Sequence, residues 1–302
     1  MSGPAAATSG AHAGAAVADE AANANAKAPR IGLIAGNGML PVLVARGMRA
    51  RGLAVHAAGL RGQYEPALAA ECTSLVPVGL ARLGAWIRVL RRARVQEAVM
   101  VGGVAKRTAH DPFRVLRFLP DGRALRIWYR RLRHDRRNAA LLAAVADELA
   151  GEGITLIDST THIPEHLASP GVMGRVRPSE RQRGDVDFGR PILAATTAHD
   201  VGQSIAVCDR DVIAVEAVEG TAAMIERAGA LCRTKGWTLL KTSKPDHDMR
   251  ADVPSIGVET IRQVKAAGGG CIALGAGRVI LIDRPAVIAA ADAAGIAVVG
   301  FD

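Results

Sequence analysis

Cysteine is scarce in this 302-residue sequence: Cys72, Cys208, Cys232 and Cys271 lie far apart, and no two form a C-x-x-C pair. That argues against a zinc site and against a dense disulfide framework, and leaves reduced, buried thiols in a cytoplasmic protein as the simplest reading. No uncharged apolar run reaches the roughly 18 residues of a membrane span, so none is expected. A basic start followed by a leucine- or valine-rich stretch is also missing, so export is not expected. Residues 1–29 are mostly Ala, Gly, Ser and Asn. With few bulky side chains to offset the entropy of ordering, they are expected to be a disordered tail.

What is present is ordinary for a folded protein: 49% hydrophobic and 22% charged residues. The length allows two domains with real cores. A formal charge of +9 points to an anionic partner, which could be nucleic acid, an acidic membrane surface or a phosphorylated substrate. Charge does not choose among them.

Ile31 to Ala35 reads as a buried strand that breaks into Gly36-Asn37-Gly38, with a helix from Pro41 to Arg51. This is the opening of a βαβ unit. The turn lacks both the third glycine of the dinucleotide fingerprint and the Gly-Lys-Ser/Thr of a Walker loop, so it is either a phosphate-binding turn or a structural one. Strands are expected at 54–60, 74–78 and 96–101, with an amphipathic helix over 80–94. The last strand ends in Gly102-Gly103, followed by Lys106 and Arg107, a second glycine turn now carrying cations. In open parallel sheets the ligand crevice lies at such strand ends.

From Arg114 to Arg137 arginine dominates, with Trp128 and Tyr129 between the charges. The spacing fits a helix with a solvated basic face, packed through Leu125 and Leu132, better than a nucleic-acid platform, and an anionic lipid surface stays open ahead of nucleic acid. A helix over 138–150 and a short strand over 154–158 follow. Residues 161–179 read as a linker, dividing a first domain, 30–160, from a second, 180–302. In the second, a helix over 185–197 leads through His199 and Asp200 to two short strands around Asp209-Arg210-Asp211. His199 could be a general base or an exposed loop histidine.

The stretch Ala214 to Met224 ends an apolar run in Glu216, Glu219, Gly220 and Thr221. A helix is expected to begin there, so this corner is either an ordinary cap, with Thr221 at N-cap, or a phosphate or carboxylate site. Another polar cluster follows the strand over 237–241. In it, Asp248 or Asp252 with Lys241, Lys244 or Arg250 could build a metal-assisted phosphate site, or the segment could be a solvated loop.

Taken together and in order, Ile34 to Pro41, Val101 to Val104, Asp200 to Gln203, Val215 to Thr221, Lys241 with Lys244-Pro245, Asp252 to Pro254 and Ala289 to Asp292 resemble one family, the UDP-2,3-diacylglucosamine pyrophosphatases of the LpxI type. The resemblance runs from about Ile31 to Phe301. It implies an α/β protein with a Rossmann-like N-terminal domain, a separate α/β C-terminal domain and a ligand cleft between them. It also implies hydrolysis of a UDP-linked acylated glucosamine to UMP and a lipid sugar phosphate, a divalent cation, typically Mg2+, and a homodimer. Peripheral association with the anionic inner membrane surface fits the basic charge, and no nucleic acid is expected as a partner. The site residues so implied are Gly36, Asn37, Gly38, Gly102, Gly103, Lys106, Gln203, Gly220, Lys241 and Lys244 for substrate, with Glu219, Thr221 and position 222 for catalysis and Asp248 and Asp252 for metal.

One departure bears on chemistry. The family pattern reads Glu-Gly-Thr-Asp-Ala-Met with a catalytic aspartate, and this chain has Ala222 there. Asn138-Ala139, Ala85 and Gly275 also replace polar residues of the pattern. Hydrolysis retained through Glu219 or Asp248 and binding without efficient turnover are therefore both open.

Overall fold

The computed structural model describes residues 28–103, 119–133, 138–250 and 253–302, without the side chains of Leu132, Asn138 and Ala139. The expected tail lies outside them apart from Ala28 and Pro29, as do Lys106 and Asp252. Two compact units divide between Ile157 and Asp158.

The first unit contains β1 (Arg30–Ala35), α1 (Leu40–Ala50), β2 (Ala54–Leu60), β3 (Ser74–Val78), α2 (Leu83–Arg92) and β4 (Glu97–Val101). After these come α3 (Gly122–Ile127), which runs into a π-helical turn at Trp128–Leu132, α4 (Asn138–Ala150) and β5 (Thr155–Leu156). All strand pairs are parallel and the order is β3-β2-β1-β4-β5, a Rossmann-like arrangement. Strand β1 is central and covered on both faces, so its apolar run is continuous rather than alternating. Leu33 and Ile34 are accordingly buried.

The strand order reverses at β1 and β4, and there the two glycine turns meet. Gly36 N donates to Val101 O at 2.8 Å, and Asn37 N donates to Gly103 O at 2.7 Å. A Cβ on Gly36 would lie 2.6 Å from Gly103 O. Gly102, at φ +92°, would bring a Cβ to 2.8 Å from Gly36 C. The close approach these glycines permit is thus first of one turn to the other. Gly38, at φ +91°, faces open space and needs glycine for its backbone angle alone.

The second unit contains β6 (Gly171–Val172), α5 (Glu180–Ala198), β7 (Ser204–Cys208), β8 (Asp211–Val215), α6 (Thr221–Leu231) and β9 (Trp237–Lys241). It continues with β10 (Ser255–Ile256), α7 (Val258–Ala266), β11 (Gly269–Gly275), β12 (Ile280–Leu281), α8 (Arg284–Ala294) and β13 (Ala297–Phe301). A six-stranded sheet has the order β6-β13-β11-β9-β7-β8. Its β9, β11 and β13 are parallel, while β6, β7 and β8 pair antiparallel to their neighbours. Successive side chains alternate between two cores. Ala206, Leu239, Leu274 and Val298 pack with Met224 of α6, Ile261 of α7 and Val287 of α8. Ile205, Val207, Leu240 and Ala273 pack with Val186 and Leu193 of α5.

Three expectations need correction. Residues 161–179 are not a bare connection: β6 pairs with β13, Leu167 bridges Ile280, and Arg284 donates to Leu167 O at 2.9 Å and Ser169 Oγ at 2.7 Å. Leu125 is 53% exposed, and Ile127 is the side chain of α3 that is buried instead. Helix α5 starts five residues before the expected 185, because Ser179 and Gln182 form a reciprocal capping box.

The switch-point geometry predicts that Gly36→Ala lowers stability by about 1–3 kcal/mol through overpacking. Gly38→Ala should cost about 1–2 kcal/mol through its left-handed backbone alone. Urea unfolding of both variants checks the ranking.

Candidate functional site

At one end of the second sheet a polar row crosses three strands. Lys241 closes β9, Ser204 opens β7 directly opposite it, and Glu216 follows β8 with its N–H donating to Ser204 O at 2.9 Å. All three share the face of Leu239, Ala206 and Ala214, the face that α6 covers. The row therefore stands where an apolar core reaches its edge.

Lys241 is only 4% exposed. Its Nζ donates to Thr221 Oγ1 at 2.7 Å and to Ser204 Oγ at 3.1 Å, and lies 3.8 Å from Glu216 Oε2. Thr221 in turn donates to Glu216 Oε1 at 2.8 Å. A buried ammonium is costly unless paired and hydrogen-bonded, and this one has both kinds of partner. Glu216 Oε2 is buried without a hydrogen-bond partner.

Thr221 is not the cap of α6. Gly220 occupies N-cap at φ +86° with no side-chain cap, and Thr221 is the first helical residue, its hydroxyl turned into the row. The α6 N-terminus also has no acidic residue in its first turn. Its N–H donors and dipole make a positive end suited to an anion. Ala222 follows immediately and is exposed, so a side chain at this position stands outside the core.

The other expected residues divide clearly. Glu219 folds back on its own turn, accepting from Ala217 N at 3.2 Å and from Arg227 at 2.8 Å, so it is a clasp and not a member of the row. Lys244 pairs with Asp200 at 3.4 Å. Gln203 is half-buried, and its carbonyl accepts from Thr242 N at 3.0 Å. His199 is exposed at the end of α5. Asp248 is held by the Arg250 guanidinium through bonds of 2.6 to 3.1 Å, and that hydrogen bonding pulls its carboxyl below the usual range. Among the described residues no three His, Cys, Asp or Glu side chains converge as a metal cage. In the first unit, Gly36, Asn37, Gly102 and Gly103 do come together, beside the N-terminus of α1, which has neither a side-chain cap nor a first-turn acid.

Sequence reasoning missed Ser204 and overlooked Glu216 in favour of Glu219. The signal was strand alternation: Glu216 is in phase with buried Ala214, and Ser204 with buried Ala206. Among the departures, Gly275 is explained by Thr242, whose Oγ1 fills the place a Cβ would take. Ala85 is half-buried in the first turn of α2, and nothing in the structure explains the loss of a polar group there.

Comparison with known proteins bears directly on this geometry. Residues 30–166 match the LpxI N-terminal domain and residues 169–299 the LpxI C-terminal domain. The chain belongs to the LpxI family. The UDP-2,3-diacylglucosamine pyrophosphatase LpxI of Caulobacter vibrioides is 34% identical over 281 residues, covering 90% of this chain and 98% of that protein. A relative so named makes the family one of hydrolases acting on a pyrophosphate. The two matched domains meet about ten residues after the division between Ile157 and Asp158 seen in the fold.

Replacing Lys241 by Met is expected to cost about 1–3 kcal/mol, since Thr221 and Ser204 lose their buried donor and Glu216 its opposite charge. Combined with Glu216→Gln the loss should be less than additive, a coupling that a double-mutant cycle in urea measures. Asp248→Asn should cost under about 1 kcal/mol, as befits a partly exposed pair. A carboxyl with a depressed folded pKa stabilises above its ordinary range and loses that contribution as pH falls through the folded value. The difference between parent and Asp248→Asn should therefore be present at neutral pH and vanish in acid, as unfolding curves across pH would record.

Proposed function

We propose that this chain hydrolyses the pyrophosphate bond of a UDP-linked diacylated glucosamine, releasing UMP and the lipid sugar 1-phosphate, at a rate limited by the alanine at position 222. One observation carries the reading: a buried lysine is locked onto Thr221 at the uncapped start of α6, one residue from Ala222. The kinship with a named pyrophosphatase supports the substrate class.

In this reading water adds to the α-phosphorus while the bond from that phosphorus to the bridging oxygen breaks, and the lipid sugar phosphate leaves. Lys241 and the α6 N–H donors stabilise the charge that develops on the phosphoryl oxygens. Gly36, Asn37, Gly38, Gly102 and Gly103 offer a second backbone surface for phosphate at the start of α1. A carboxylate at 222, in the first turn of α6, would stand beside the α6 N–H donors and orient the attacking water. Among the acids that could take that role, Glu219 is held by Arg227, Asp248 by Arg250, and Glu216 Oε2 is buried.

Magnesium belongs to this proposal as an ion carried with the substrate, since it commonly takes only one or two carboxylates beside phosphate oxygens and water. When bound it would neutralise pyrophosphate charge. A homodimer and a cytoplasmic location are further expectations of the same reading.

The absent carboxylate favours a second reading, a protein that binds the UDP-lipid without turning it over. Purified protein, UDP-lipid and magnesium should give measurable UMP release. Ala222→Asp should raise it by about 10²–10⁴-fold, the range of one positioned acid–base group. Lys241→Met should abolish it. Tight binding with no UMP from the parent would replace hydrolysis by the second reading.

A further inference from the structure

We propose that the helical segment from Gly122 to Arg133 is a docking surface for an anionic lipid bilayer. This goes beyond the hydrolytic reading and rests on a different part of the molecule. The segment is α3 continued through the π turn, and Ile127 is its buried side chain among the described residues. Two neighbouring stripes face outward. Leu125, Trp128 and Tyr129, at helical spacing i, i+3 and i+4, are 53%, 46% and 66% exposed. Arg126, Arg130 and Arg133, at i, i+4 and i+7, are exposed beside them.

The arginines fall into two sets. Arg123 is paired with Glu148 and Glu152, and Arg131 with Asp147, so these fasten the segment to α4 and the loop after it. Among the described residues Arg126, Arg130 and Arg133 have no carboxylate partner. Asp121 fixes the start: Oδ2 accepts from Gly84 N at 2.6 Å at the head of α2, and Oδ1 accepts from Ala124 N at 3.0 Å. The stripes are therefore presented by a segment anchored at its start and along its inner side.

An interfacial helix places aromatic and leucine side chains at the headgroup boundary with arginines toward anionic lipid. That combination matches these two stripes. Single-stranded nucleic acid would need open aromatic faces. Leu125 has none, and the Arg133 guanidinium already lies 4.5 Å over the Tyr129 ring.

The test uses the full chain with vesicles of phosphatidylethanolamine and phosphatidylglycerol, and with vesicles of phosphatidylcholine alone. Trp86 and Trp237 are buried, at 7% and 0% exposure, so Trp128 is the tryptophan that reports on this face. Binding to phosphatidylglycerol vesicles should blue-shift tryptophan emission, and Trp128→Phe should remove the shift while retaining co-sedimentation. Arg126→Glu with Arg130→Glu and Arg133→Glu should weaken partitioning on the order of a hundredfold, about fivefold for each arginine. Leu125→Ser with Tyr129→Ser should weaken it independently, which guards against one variant that fails to fold. Equal binding to phosphatidylcholine, no effect of either variant, or Trp128 already shielded from acrylamide before vesicles are added would overturn the proposal. Single-stranded RNA binding lost in the same variants, without vesicle binding, would assign the face to nucleic acid instead. UMP release from detergent-dispersed substrate should be unchanged by the arginine variants, so vesicle binding and hydrolysis can fail separately.

Discussion

A lysine ammonium cannot be removed from water without partners, and the edge of the second sheet is built around that constraint. Lys241 lies at the end of a strand whose residues are all buried, and its charge is met by Ser204, Thr221 and Glu216 from three other segments. Meeting it fixes where β8 ends, how the chain turns through Gly220, and which way α6 leaves the sheet. Gly220 can make that turn because its φ of +86° costs a glycine little. The same geometry frees the start of α6 from any side-chain cap, so the constraint that orders the corner also creates its positive end.

The first unit reaches a comparable result without charge. Two glycine turns pack backbone against backbone where strand order reverses, and α1 begins there uncapped. The helices α1 and α6 thus both begin without an acidic residue in the first turn, α1 after a parallel strand and α6 after the antiparallel β8. In a family of pyrophosphatases, this arrangement fits a substrate that brings its own negative charge. Position 222 itself is exposed in the first turn of α6.

Much of this was legible in the residues. The apolar run of β1, the glycine turns, the hairpin at Asp209-Arg210 and the strands β2, β3 and β9 follow from local composition and period, most plainly in β1, a parallel strand buried on both faces. The start of α5 was also legible in Ser179-x-x-Gln182, though the reading passed over it. Less visible was which acid in Val215 to Thr221 turns inward. Glu216 and Glu219 are chemically equal, and their fates diverge only because Glu216 keeps the strand phase of Ala214 while Glu219 lies in the turn within reach of Arg227.

The sequence by itself determined the α/β class, the two-unit organisation and the family, since each depends on short-range pattern or ordered motifs. Only the tertiary structure decided that Thr221 serves Lys241 rather than its own helix, that Asp248 belongs to Arg250, that Gly171–Val172 within 161–179 pairs with the sheet, and that Leu125 and Tyr129 face outward. Those outcomes depend on which groups from distant segments meet. A buried charge or hydrogen-bonding group takes the partner that folding brings within about 3 Å, wherever it lies in the chain.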